Sequence, residues 1–134
     1  MAGRVAFDTT FLIDFQRERS RAEADGAAHE FLLADPDLEL LLPAPALGEF
    51  AEGFGDADHP VLRMARELHV LLPVDEETAL IYGRIVRTLR EQGRLIGTND
   101  LWIAATSIRH AAPLVTANVS EFRRVDGLEV ISYR

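Results

Sequence analysis

Two hydrophobic patterns alternate along the chain. Arg4–Asp8 (RVAFD), Leu38–Leu42 (LELLL), Leu71–Val74, Pro113–Thr116 (PLVT) and Leu128–Ser132 (LEVIS) are short apolar blocks bounded by Pro, Gly, Asp or Asn, the pattern of buried strands. Between them, apolar residues recur every three or four positions, as on one side of a helix. Thr9 or Thr10 opens such a run, with Phe11, Leu12 and Phe15 on its apolar side. Ser20 followed by Glu23 has capping-box spacing and predicts a helix carrying Ala24, Ala27, Ala28, Phe31 and Leu32. Asp35-Pro36-Asp37 ends it, because the residue before a proline avoids the α region.

Pro43-Ala44-Pro45 breaks the second strand, and further helices are predicted over Ala46–Phe54, Pro60–Val70 and Glu76–Gln92. Asp75 caps the last of these and Gly93 stops it, with Ala79, Ile81, Tyr82, Ile85, Val86 and Leu89 turned inward. Thr98 or Asn99 caps a helix over Asp100–His110, and Asn118–Arg124 forms a short helix or turn. Strands alternating with helices predict an α/β fold. It is a single domain over residues 1–134, with a mostly parallel central sheet of four to five strands and helices on both faces. In such folds a ligand sits beyond the carboxyl ends of the strands, where the strand order reverses.

Composition narrows the chemistry. The 134 residues carry 14 Lys+Arg against 22 Asp+Glu, a formal charge of −8, and all the basic residues are Arg. That balance counts against binding nucleic acid by charge alone, which usually needs a basic domain. The absence of cysteine excludes a thiol nucleophile, a disulfide framework and a thiolate-held metal. No apolar run approaches the ~20 residues of a membrane span, and Met1–Arg4 leads into strand-like sequence without a signal-peptide core, so a soluble cytoplasmic protein is expected.

Polar residues just after the strands then matter most. Asp8 closes the first strand, Glu49 lies in the helix after the second, Asp100 starts the helix before PLVT, and Asn118 lies two residues beyond PLVT. Each has a plainer role available: turn residue, helix cap, exposed helix acid. Together, three acids in one crevice require a cation or a proton, since two carboxylates ~4 Å apart repel by about 4 kcal/mol at an effective dielectric near 20. All-oxygen ligands select a hard ion such as Mg2+ or Mn2+, which suits phosphoryl chemistry.

Three motifs in order make the pattern specific. Asp8-Thr9-Thr10-Phe11-Leu12-Ile13-Asp14 resembles the opening of PIN-domain ribonucleases, Asn99–Thr106 (NDLWIAAT) resembles their second acidic segment, and Leu114-Val115-Thr116-Ala117-Asn118, with Glu121-Phe122, Val125 and Gly127-Leu128, resembles their ending. Pro45–Glu49 has the placement of the family's single glutamate, and the similarity runs from about Val5 to Ile131. Within the family the chain is most similar to the toxins of VapBC type II toxin–antitoxin systems.

The resemblance implies an α/β/α sandwich that binds Mg2+ or Mn2+ and cleaves single-stranded or looped RNA. It also implies inhibition by a cognate VapB-type antitoxin, and homodimerisation. Asp8, Glu49 and Asp100 match the family's metal-site acids, while Asn118 stands where many members have Asp, with Glu121 about one turn on as the substitute carboxylate. Thr9 and Thr116 match hydroxyl positions that orient water or an acid, and Asp14 fits a structural hydrogen bond better than a ligand. Arg84, Arg87, Arg90 and Arg94 recur at helical spacing, either as a solvated face or as a rail for the RNA backbone. Phe11, Leu12, Phe15, Leu32 and Leu33 are candidates for a groove that takes an antitoxin helix, or for core. The alternatives are a catalytically weakened PIN-like protein that binds RNA or a partner, suggested by Asn118, and an RNA-processing nuclease without an antitoxin. The four histidines are assigned no role.

Overall fold

The computed structural model describes residues 3–22 and 26–134. Five strands, β1 (Arg4–Phe7), β2 (Glu39–Pro43), β3 (Val70–Leu72), β4 (Leu114–Thr116) and β5 (Val130–Ser132), form one sheet in the order β3-β2-β1-β4-β5, with every pairing parallel. Helices α1 (Thr9–Ser20), α2 (Ala27–Ala34), α3 (Ala44–Ala51), α4 (Pro60–Leu68), α5 (Glu76–Glu91), α6 (Thr98–Arg109) and α7 (Val119–Phe122) make the crossovers and cover the sheet. From central β1 the chain builds outward through β2 and β3, then crosses to the other side for β4 and β5. The strand order therefore reverses between β1 and β4, and the crevice of such a sheet opens at their carboxyl ends.

Side-chain alternation feeds two cores. Val5, Phe7, Phe11, Ala28, Val115 and Tyr133 form one cluster, whereas Ala6, Leu41, Leu114, Ile103 and Leu89 belong to the larger one. Neighbours along a strand, Ala6 and Phe7 or Leu114 and Val115, thus serve opposite faces. Phe7 and Phe11, with ring centroids 4.2 Å apart, are fully buried. Each such side chain contributes ~1.5–3 kcal/mol from burial.

The cap of α5 is as expected: Asp75 accepts from the Thr78 amide at 2.9 Å and the Thr78 hydroxyl at 2.8 Å, and Gly93 ends the turn at φ +66°. Thr78 itself is buried and Ala79 points outward, the reverse of the inward set expected for Ala79, because the capping bond draws Thr78 under the helix. Residues 98 and 99 are the first turn of α6, and Gly97 is its N-cap. Ser20 ends α1 instead of capping α2, and the expected partners Glu23 and Ala24 lie outside the described residues. The α2 amides are satisfied from a distance: Glu18 accepts from Ala28 N–H at 3.0 Å and from His29 N–H at 2.9 Å. A Cβ at Gly26 would run into that carboxylate.

Candidate functional site

Asp8 follows β1 directly and is the N-cap of α1, its Oδ1 accepting from the Phe11 N–H at 3.3 Å. Most caps are solvated, but Asp8 is only 2% exposed, and a buried carboxylate requires partners. The Thr10 hydroxyl donates to Oδ1 at 2.6 Å and the Thr116 hydroxyl donates to Oδ2 at 2.6 Å. Each hydroxyl is oriented from behind by a backbone amide at the exit of β4, Ala117 N–H on Thr10 at 3.2 Å and Asn118 N–H on Thr116 at 2.8 Å. A hydroxyl has one proton, so accepting an amide on one side leaves that proton for the carboxylate. A carboxylate has about four lone-pair sites. Both on Oδ1 are used and one on Oδ2 remains, so Asp8 offers one oxygen. Burial nevertheless raises its pKa, with the three donors opposing and Glu49 adding to the rise.

Asp100 is held differently. It is the third residue of α6, where the helix dipole favours a negative charge. Its pKa is still pushed up to about 6, first by burial and then by the charges of Glu49, Asp8 and Glu121. Burial and like charge therefore outweigh the dipole. Asp8, Glu49 and Glu121, far from Asp100 and from one another in sequence, thus lie close enough to Asp100 to act on it. Glu49, on α3, is exposed at the rim, beside the buried anchor Phe50. Glu52, at the end of the same helix, is not among the charges acting on Asp100, which separates the two glutamates. Asn118 donates from Nδ2 to Glu121 Oε2 at 3.0 Å, so the residue in place of the fourth acid secures the neighbouring carboxylate.

Thr9 Oγ1 and Asn99 Nδ2, adjacent in sequence to Asp8 and Asp100, are buried without a hydrogen-bond partner, a shortfall uncommon in interiors unless something else supplies the bond. Among the described residues no three His, Cys, Asp or Glu side chains are gathered tightly enough to cage a metal ion. Mutually repelling, oxygen-only acids of this kind suit an ion held by one or two carboxylates and several waters, the habit of Mg2+.

The other expected residues are scattered. Arg84, Arg87 and Arg90 are exposed on α5, away from its buried Thr78, Ile85 and Leu89, and Arg87 pairs with Glu91 at 3.3 Å. Arg94 lies beyond the helix, which stops at Glu91. Arg84 and Arg124 line a pocket of ≈ 350 Å³ over Ile85, Leu89 and Val125. Phe11 and Leu12 are core residues, 1% and 4% exposed, while Leu33 is 70% exposed on α2. Leu12 and Phe15, with Phe50, Val61, Met64 and Leu68, line a narrow apolar groove of only ≈ 20 Å³ between α1, α3 and α4. Gln16 and Phe50 of that groove also line the pocket that contains Glu49.

Sequence reasoning missed Thr10 as a partner of Asp8, although a hydroxyl two residues after a capping Asp is within local reach. It also missed the Glu18–His29 contact at 2.8 Å and the cap that the His59 ring gives Val61 N–H at 3.1 Å. Asp14 makes a structural hydrogen bond of the kind expected, accepting from the Tyr133 hydroxyl at 2.6 Å, and pairs with Arg134 at 3.1 Å. No local signal marks Tyr133 as its partner.

With this geometry in place, the family model for the PIN domain matches residues 5–128. Ribonuclease VapC1 of Haemophilus influenzae strain R2866 is 35% identical over 128 residues, covering 91% of this chain and 92% of the relative. Ribonuclease VapC1 of Rickettsia felis is 41% identical over 71 residues, a match to 53% of each protein, so this chain spans about half the length of that relative. In structure, VapBC-1 from nontypeable Haemophilus influenzae superimposes with a TM-score of 0.78 at 29% identity, covering 97% of this chain and 98% of that one. VapBC2 from Rickettsia felis, bound to a DNA fragment from their promoter, shares the fold with a TM-score of 0.81 at 20% identity, over 98% of this chain and 99% of that one. No helix among the described residues is long and apolar enough to cross a membrane.

Proposed function

The chain belongs to the PIN-domain family, and from that premise we propose that it is the toxin of a VapBC-type toxin–antitoxin pair, a magnesium-dependent endoribonuclease that hydrolyses RNA phosphodiester bonds. One observation carries the assignment: at the end of the sheet where the strand order reverses, burial and the charges of Glu49, Asp8 and Glu121 together push Asp100 up to about 6. Sequence identity of 35% across most of a ribonuclease supports the reaction class.

Asp8, Asp100, Glu49 and Glu121 are the residues to hold a divalent cation, Mg2+ or Mn2+, which when bound would polarise a phosphate oxygen and favour ionisation of an attacking water. Asp8 contributes the open position on Oδ2, fixed by Thr10 and Thr116. Asp100, whose proton burial and the neighbouring carboxylates hold up to about 6, is an acid whose ionisation follows the charge of the site. Exposed Glu49 is placed at the mouth to take the proton of the water that attacks phosphorus as the ester oxygen leaves. Asn118 keeps Glu121 in the constellation, which favours an active enzyme over a weakened one. Thr9 and Thr116 flank the site as supporting hydroxyls. Arg84, Arg87 and Arg90 are candidates to meet the RNA backbone, with Arg124 beside Arg84 and Arg94 just beyond the helix.

For the partner, a VapB-type antitoxin, the pocket of Ile13, Gln16, Arg17, Phe50 and Phe54 that contains Glu49 is the proposed place where a basic antitoxin residue reaches the acids. A homodimer is part of the same proposal.

The test is cleavage of RNA by the purified chain. Activity should require Mg2+ or Mn2+, vanish in EDTA, and fall by at least ~10³-fold in Asp100→Asn, the scale of losing a group that acts in the transition state. Wild-type activity of Asp100→Asn in magnesium would overturn the assignment.

A further inference from the structure

The arginines around α5 are not equivalent. Arg87 pairs with Glu91 at 3.3 Å, as Arg109 pairs with Asp75 and Arg134 with Asp14. Among the described residues neither Arg84 nor Arg124 is ion-paired, and both line the pocket of ≈ 350 Å³ between α5 and the turn after α7. Buried Ile85, Leu89 and Val125 form its floor. Arg124 is held in place: its Nη1 donates to the Leu95 carbonyl at 3.3 Å. A guanidinium carries five N–H donors, so most of them stay available. Leu95 lies two residues before Gly97, the N-cap of the helix that carries Asp100. The Arg124 amide donates to the Glu121 carbonyl at 3.1 Å. The pocket is therefore fastened to both segments that bring Asp100 and Glu121 to the end of the sheet, about one helical turn from Glu121.

Two guanidiniums over an apolar floor fit a ligand with an anionic part and a flat, less polar part. Guanidiniums bind phosphate oxygens as a fork, and packed aliphatic side chains take the face of a ring. One RNA nucleotide offers both, and the volume is that of a small-ligand site, too small for a folded segment. Asp126, which also lines the pocket, repels a doubly charged phosphate monoester more than a singly charged diester. That favours a nucleotide within a strand over a free one. We propose that the Arg84–Arg124 pocket is a substrate subsite that holds one nucleotide of the RNA beside the cleaved bond, with its phosphate on the guanidiniums and its base on the apolar floor. The proposal rests on reading the chain as an RNA-cleaving enzyme.

The probe is an unstructured single-stranded RNA of mixed sequence, bound to the purified full chain in EDTA and followed by fluorescence anisotropy. Arg84→Ala and Arg124→Ala should each weaken binding about 3–10-fold at low salt and reduce the slope of log Kd against log salt by about 0.7, the share of one phosphate contact. Thr88→Phe fills the pocket and keeps both charges. It should weaken binding to a similar extent, which attraction to an open charged surface would not produce. In cleavage at saturating Mg2+, Arg84→Ala and Thr88→Phe should raise KM about 3–10-fold and keep kcat within about twofold, since the contact is the same before and in the transition state. Arg4→Ala removes the same charge at the far end of β1 from Asp8 and should change neither the slope nor KM. Arg124→Ala also gives up the Leu95 bond, so Arg84→Ala and Thr88→Phe decide. Wild-type Kd and KM in those two variants, with cleavage intact, would overturn the subsite alone. Adenosine monophosphate binding as tightly as the strand would mark a site for free nucleotides and overturn it too. If the wild-type chain neither binds nor cleaves RNA, the enzymatic reading fails and the subsite with it.

Discussion

Asp8 and Asp100 lie in one crevice, both with raised pKa, and the fold treats them in opposite ways. Asp8 is 2% exposed and receives three hydrogen bonds, two from hydroxyls that are themselves held by backbone amides. Asp100 is partly exposed, and its shift comes from burial and from Glu49, Asp8 and Glu121, with no hydrogen bond helping its charge. The first carboxylate joins β1, α1 and β4 as a structural part. The second is left under electrostatic stress that a cation would relieve. In the proposed metal site, Asp8 would be the ligand whose geometry the fold sets and Asp100 the one whose charge awaits the cation.

The contrast can be broken most sharply through stability. Asp8→Ala removes a helix cap and leaves two hydroxyls without their acceptor, and should destabilise the chain by about 2–3 kcal/mol. Asp100→Asn should change stability by less than about 0.5 kcal/mol or raise it, because it removes repulsion. Urea denaturation in EDTA measures both, and equal losses would erase the distinction.

A second test uses pH. Asp100 in the folded chain holds its proton to about 6, against the usual 3.8. The native state therefore binds more protons than the unfolded chain in that window. Stability without metal should fall as pH rises from about 4 to about 6 and then level. Asp100→Asn should reduce that slope in thermal melts and leave the part due to Asp8, whose pKa burial also raises, while an unchanged slope would assign it elsewhere.

The smallest expected effect comes from a third carboxylate outside the site. Glu18 caps α2 and touches His29, and its pKa is lowered from the usual 4.5 by bonds from His29 and Ala28 that outweigh its desolvation. Its contribution is present above about 4.5 and is lost as pH falls, opposite in sign to Asp100. Glu18→Gln should cost about 1 kcal/mol, as for a lost cap, and leave RNA cleavage unchanged. Lost cleavage would mean that the α1–α2 joint reaches the site.

Much of the fold was legible because its signals are local. The apolar blocks locate all five strands to within two or three residues at each end. Asp75 and Gly93 bound α5 through the bonds and dihedral that those residue types favour. Where a local signal had a distant competitor it misled. Ser20 had a capping spacing, but Glu18 supplies the cap to α2 from inside α1. Ala79 was apolar at a helical spacing, but Thr78, drawn in by its bond to Asp75, took the buried position.

The sequence by itself determined the alternation of strands and helices, the absence of sulfur chemistry, and the motifs that place Asp8, Glu49, Asp100 and Asn118 near strand ends. These depend on residue type and on neighbours a few positions away. Only the tertiary structure decided which oxygen of Asp8 is free, that Asn118 holds Glu121, and that Tyr133 is the partner of Asp14. Thr116 meets Asp8 across 108 positions and Tyr133 meets Asp14 across 119. No short-range pattern encodes such pairs, because parallel strand pairing closes the chain over those distances. The charge of −8, which counted against nucleic acid, becomes intelligible once part of it is seen gathered at one end of the sheet.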